Sequence, residues 1–223
     1  MEEPSVRRAT RTDLPALAAV LARAFARDPY FSWLAGEASE RNQRMRDAWL
    51  GILRFGSAGL RETWTNGART GAAIWIPPGR AASSLVDSLR LLPAFARLTG
   101  WRRVREAAAA VELLDRRRRL HAPGPHFYLA ALGVEPELQR QGIGSALLEP
   151  ALRAADERGM AAYLETATAM NVLLYERHGF AVVEELVLPR TDVHGWLMCR
   201  PPASASEASA RDVADPPNRR GSG

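Results

Sequence analysis

The spacing of apolar positions changes several times along the chain, and the changes mark out a mixed fold. Residues 5–9 read as a short strand. Leu14, Leu17, Ala18, Leu21 and Phe25 then recur at three- and four-residue intervals, one face of a helix that Thr12 or Asp13 would cap. Asp28-Pro29 is expected to end that helix, because the residue before a proline avoids helical dihedrals. A second helical stretch runs from about 38 to 56. Residues 59–65 and 71–76 read as strands around a turn at Asn66-Gly67, and Pro77-Pro78-Gly79 stops the second. Residues 82–119 are helical in pattern, with an interruption near Thr99-Gly100. The nearly unbroken apolar run 127–134 suits a buried central strand. A helix over 142–157, a strand over 161–166, a short helix over 169–178 and strands at 181–188 and 195–200 complete the pattern.

Antiparallel hairpins at both ends and a helix-crossed pair in the middle predict a single α/β or α+β domain over residues 1–200. Residues 201–223 are Pro, Ala, Ser and charge, a composition expected to stay disordered. With 223 residues, 47% hydrophobic and 25% charged, the chain has the balance of an ordinary globular protein. It buries roughly 70% of its unfolded surface without a disulfide or structural metal.

The charge of +5 carries one unusual feature: every one of the 30 basic residues is arginine. Without lysine there is no Walker A loop and no Schiff-base or pyridoxal-phosphate chemistry. Cys199 alone forms no internal disulfide or cysteine-clustered zinc site, and the histidines at 121, 126, 178 and 194 form no H-E-x-x-H pair. No metal is expected. No apolar run reaches 18 residues and residues 1–12 are charged, so a soluble, cytoplasmic protein is expected, with no membrane partner. Arg116–Arg119 reads as a solvated helix end; no aromatics interleave with it, and no nucleic-acid partner is expected.

The chemistry concentrates in Leu138-Gln139-Arg140-Gln141-Gly142-Ile143-Gly144-Ser145-Ala146-Leu147-Leu148. A buried strand enters a glycine-rich turn that opens a helix, which presents unpaired backbone N–H groups to a phosphate. The helix dipole adds about 0.3–1 kcal/mol there, and Arg140 adds a full cation. Leu147 occupies the third glycine position of the dinucleotide fingerprint, so that reading is excluded. Pro150 should kink the helix near Ala146.

Q-x-x-G-x-G after this strand, followed by Asn171-x-x-x-Tyr175-x-x-x-Gly179-Phe180, resembles the GCN5-related N-acetyltransferase (GNAT) superfamily. Within it the chain is similar to puromycin N-acetyltransferase and its relatives. That similarity runs from Val6-Arg7-Arg8-Ala9-Thr10, through Ala24-Phe25 and Pro29-Tyr30, to Tyr163-Leu164-Glu165-Thr166 and Trp196-Leu197-Met198. The resemblance implies a mostly antiparallel sheet of about six to seven strands, flanked by helices and splayed at the strand that binds acetyl-CoA. It implies pantetheine against Leu132, Gly133 and Val134, and pyrophosphate on Gln139, Arg140, Gln141, Gly142, Ile143, Gly144 and Ser145. Asn171 would hold the pantetheine amide, with Tyr175 at the sulfur as general acid.

The base is left open between Glu165, at the end of its strand, and His126, just before the central strand. Tyr30, Phe31, Trp33 and Trp75 are candidates for stacking on an acceptor amine. The implied reaction is acetyl transfer to a small-molecule amine, such as an antibiotic, by a monomer or homodimer. Modification of a protein or peptide terminus and a non-catalytic acyl-CoA-binding module are the alternatives.

Overall fold

The computed structural model describes residues 5–36, 40–55, 62–79, 93, 95–100 and 103–202. Among the described residues seven strands form one sheet: β1 (Val6–Arg8), β2 (Thr63–Asn66), β3 (Gly71–Ile76), β4 (His126–Val134), β5 (Ala161–Thr166), β6 (Ala181–Val187) and β7 (His194–Arg200). Their spatial order is β1-β2-β3-β4-β5-β7-β6, antiparallel at every step except β4–β5. That parallel pair requires a crossover, which α5 (Ile143–Glu157) supplies. Around the sheet lie α1 (Leu14–Ala24), α2 (Pro29–Ala35), α3 (Arg41–Phe55), α4 (Val104–His121) and α6 (Ala169–Glu176). The result is the mixed α/β domain expected from the pattern, with the mostly antiparallel sheet that the resemblance implies.

Both faces of the sheet centre are covered. Ala72, Ile74 and Ile76 of β3 pack with Leu17 and Leu21 of α1 and Met45 and Trp49 of α3. Ala73 and Trp75 face the other way, into Leu147, Leu148 and Leu152 of α5. This explains why β3 and β4 are nearly continuous apolar runs rather than alternating ones. Leu147 and Leu148 are fully buried, each contributing about 1.5–3 kcal/mol of transfer free energy. α5 runs unbroken through Pro150, although that residue has no N–H to give the Ala146 carbonyl.

Three expectations change. Asp13 does not cap α1 with its side chain; its carboxylate turns back to accept from the Thr10 N–H at 2.8 Å and from Arg7 at 2.7 and 3.0 Å. Asp28-Pro29 does more than end a helix: extended Asp28 caps α2 by accepting the Phe31 N–H at 3.0 Å, and Pro29 is its first residue. The strand read at 59–65 is described only from 62 onward, as β2 shifted to Thr63–Asn66. Of the long helical reading, 82–92, 94 and 101–102 lie outside the described residues, and the tail beyond Pro202 does likewise.

The sheet splits at its parallel step. β4 and β5 are in register from His126↔Ala161 to Leu129↔Leu164, after which β4 runs on to Val134 and β5 to Thr166 without pairing. At the same point the β3–β4 register skips Ala130, because Trp75 pairs with Leu129 and Ile74 with Ala131. A bulge of one extra residue bends its strand, here where β4 leaves β5.

α1 lies so close to the free end of β4 that a Cβ on Gly133 would fall 2.8 Å from Leu21 Cδ2 and 3.1 Å from Ala24 Cβ. At Gly144 the nearest atoms would be 3.8 Å away. Gly133→Ala should therefore cost about 1–3 kcal/mol of stability through overpacking. Gly144→Ala should be neutral or raise stability by up to about 1 kcal/mol through helix propensity. Urea unfolding of the ligand-free protein measures both, and equal effects would contradict the α1–β4 contact.

Candidate active site

The split opens into a cavity of about 250 Å³ whose described lining comes from β4, β5, α6, α2, α4 and the β6–β7 turn. Leu129, Ala130, Ala131 and Leu132 form one wall; Glu165, Thr166, Asn171 and Tyr175 form the opposite one. Phe25, Tyr30 and Phe31 close it from the α1–α2 side.

Glu165 is the first residue of β5 past the last parallel pair, so its carboxyl stands in the mouth of the split. It lines the cavity half-buried, and burial pushes its pKa up to about 7. The Tyr128 hydroxyl and the Arg118 guanidinium act in the opposite direction, favouring the ionised form. A carboxyl held near neutrality is poised to take a proton at physiological pH.

Tyr175 faces the same cavity from the last turn of α6, packed edge-on to Phe180 at 6.0 Å. Burial first, and the Asp28 charge second, raise its phenol above the ordinary value, so it stays protonated. Asp28 lines the cavity too, and burial raises its own pKa. Asn171, one turn before Tyr175, places its Nδ2 3.4 Å from the Thr166 hydroxyl.

At the start of α5 the backbone curls through two left-handed residues, Arg140 (φ 63°) and Gly142 (φ 84°). The helical ladder begins with the Ala146 N–H bonding the Gly142 carbonyl at 3.0 Å. The N–H groups of Ile143, Gly144 and Ser145 therefore precede the first such bond, the arrangement an anion fills. Gln139 braces the turn, donating from Nε2 to the Val134 carbonyl at 3.2 Å. Gly142 has open space where a Cβ would stand, and its positive φ alone accounts for glycine there. At Gly133 the missing Cβ makes room for α1.

Not every candidate meets at the cavity. Trp75 is 1% exposed on the α5 face, on the opposite side of the sheet, and is a core residue. Trp33 packs behind Tyr30, with ring centroids 5.9 Å apart, and buttresses that wall instead of lining it. His126 sits at the far end of β4, with Nδ1 2.7 Å from the Gly124 carbonyl and Nε2 3.3 Å from Arg118. It braces that arginine, which leaves Glu165 as the base candidate on the cavity wall.

Arg118 was hidden in the arginine run. Arg116 and Arg119 are solvated, but the Arg118 side chain is only 12% exposed, pairs with Asp115 and lies 4.9 Å over the Tyr128 ring. The only sequence signal for it was its place on the inner face of α4. Tyr128 was legible as the residue whose side chain alternates away from buried Phe127.

Residues 84–180 match the model of the Acetyltransferase (GNAT) family. Over 84 residues the chain is 32% identical to an uncharacterized N-acetyltransferase of Schizosaccharomyces pombe, a match spanning 37% of this chain and 34% of that protein. The chain thus covers about a third of that relative's length. Among solved structures it is similar to the histone acetyltransferase HPA2 and related acetyltransferase of Corynebacterium glutamicum. That likeness has a TM-score of 0.65 and 24% identity, over 90% of this chain and 97% of that one. It also shares its fold with the Drosophila melanogaster polyamine N acetyltransferase, with a TM-score of 0.57 and 16% identity over 89% and 100% of the two chains. A splayed β4–β5 pair, a glycine turn opening α5 and the family model matching residues 84–180 agree: this part of the chain is similar to the acetyltransferase (GNAT) family, and the fold is shared with solved acetyltransferases.

Proposed function

We propose that the protein transfers an acetyl group from acetyl-CoA to the amine of a small molecule. The observation that carries this reading is the placement of Glu165 and Tyr175 on one wall of the cavity at the β4–β5 split. The unpaired edge of Ala130–Val134 offers backbone groups to the pantetheine amides in the manner of an added strand. The N–H groups of Ile143–Ser145 take the pyrophosphate. Tyr30 and Phe31 form an aromatic wall on which a planar acceptor of the puromycin class would stack.

The transfer then runs through these residues in order. The amine nitrogen attacks the thioester carbonyl, its proton passes to the Glu165 carboxylate, and the C–S bond breaks. Tyr175 gives a proton to the departing sulfur, and Glu165 returns its proton to solvent as the phenol is restored. With the base near pKa 7, taking a proton from an α-amine of pKa about 7.7 costs only about 1 kcal/mol. An alkyl amine of pKa about 10.4 costs about 4.6 kcal/mol, so the site favours low-pKa acceptors. A free thiol has a pKa of about 8.5, below that of Tyr175. The apolar cavity that raises the phenol also raises the thiolate, which keeps the two closer than their values in water.

Thiol release from acetyl-CoA with puromycin and a panel of small amines tests the proposal, with half-buried Cys199 subtracted as background. Acceptor-dependent release is expected; CoA binding without release would favour a ligand-sensing module. Tyr175→Phe should lower kcat by ~10²-fold or more while leaving the KM for acetyl-CoA within a few-fold. Glu165→Gln should lower kcat/KM at least tenfold at pH 8. The wild-type pH profile, with the acceptor's own ionisation divided out, should fall as pH drops below about 7, where Glu165 takes up a proton and no longer serves as base. That limb should vanish in the Gln variant, and its persistence would remove Glu165 from the mechanism.

A further inference from the structure

His178 is a partly buried titratable group that the proposed reaction does not use, and it joins the two halves of the cofactor site. It follows α6 directly, and its backbone N–H donates to the Tyr175 carbonyl at 2.9 Å. Its ring reaches across to the start of α5, where Nε2 lies 3.0 Å from the Ser145 hydroxyl. Its own carbonyl is held by Arg200 Nε at 2.9 Å, and Arg200 is clamped to Asp156 near the other end of α5 at 2.6 and 2.8 Å. The residue is thereby held at three points: its backbone amide, its backbone carbonyl and its ring.

We propose that His178 is a positioning residue that donates from Nε2 to Ser145 Oγ and so directs the serine proton toward the CoA pyrophosphate. The inference rests on the acetyl-CoA reading given above. A serine hydroxyl has one proton and two lone pairs. If the ring donates to Oγ, the serine proton has no claim on the imidazole and is free for an anion beside the N–H groups of Ile143, Gly144 and Ser145. A neutral ring protonated on Nε2 does this, and burial together with the neighbouring Arg177 and Arg200 favours the neutral form against the opposing pull of Glu149. The same residue holds the Tyr175 carbonyl, so the phosphate anchor and the candidate acid are tied through one side chain and its amide.

The test is CoA binding by calorimetry to wild type, His178→Leu, His178→Gln and Ser145→Ala, followed by kinetics with acetyl-CoA and with S-acetylpantetheine, which lacks the pyrophosphate. His178→Leu and Ser145→Ala should each weaken CoA binding roughly three- to tenfold, the range of one net hydrogen bond exchanged with water. Their combination should be no worse than Ser145→Ala alone, because both remove one interaction. His178→Gln keeps a donor and should stay within about twofold of wild type. With acetyl-CoA, His178→Leu should raise KM and leave kcat within about twofold; with S-acetylpantetheine, kcat/KM should equal that of wild type. Equal losses with both thioesters would mean a merely structural residue and overturn the proposal. If His178→Leu does not fold, a Ser145→Ala protein that binds CoA as tightly as wild type overturns it instead. A wild type that binds no CoA would overturn the acetyl-CoA reading as well, whereas wild-type binding with both variants unaffected overturns the role of His178 alone.

Discussion

The site exists because two parallel strands cannot stay paired. β4 and β5 hold register only as far as Leu129 and Leu164, and the Ala130 bulge turns β4 away from its partner at that point. What forces the separation open is packing on the two faces. α1 presses on Gly133 so closely that a single methyl group would collide, while α5 covers the reverse face through Leu147 and Leu148. Buried backbone amides ordinarily require partners. The free edge of β4 is therefore a stretch of hydrogen-bonding capacity that a ligand can complete.

The same burial sets the chemistry. Glu165 and Tyr175 project into one apolar cavity, and desolvation is the largest influence on each. It moves the carboxyl up to where it can accept a proton near neutrality, and it moves the phenol further from ionising. One physical cause thus moves both groups in the directions that the proposed base and acid require. Arg118 trims the effect on Glu165 while its own charge is matched by Asp115.

Much of this was legible in the sequence, and the parts that were not share a reason. The central strand, the glycine turn and α5 announce themselves through local pattern: an apolar run, a left-handed glycine and a helical apolar face. All seven strands follow from local pattern too, with shifts of a few residues at ends such as β2. Residues whose role depends on which sheet face they occupy were harder. Trp75 and Tyr30 are both aromatic, yet one is buried against α5 and the other is half-buried on the cavity wall, and nothing local distinguishes them. Arg118 looks like its three arginine neighbours until α4 is laid against β4 and its stem is the one turned inward. Asp28 read as a helix stop because the proline after it dominates local reasoning, whereas its carboxylate starts the next helix and reaches the cavity.

The most direct test of the account is amide hydrogen exchange, read residue by residue, with and without CoA. The unpaired β4 amides within Ala130–Val134 should slow on binding, together with those of Ile143–Ser145, while the already paired stretch His126–Leu129 stays unchanged. Protection confined to other surfaces, with the free edge of β4 exchanging as before, would contradict the assignment of the split as the acetyl-CoA site.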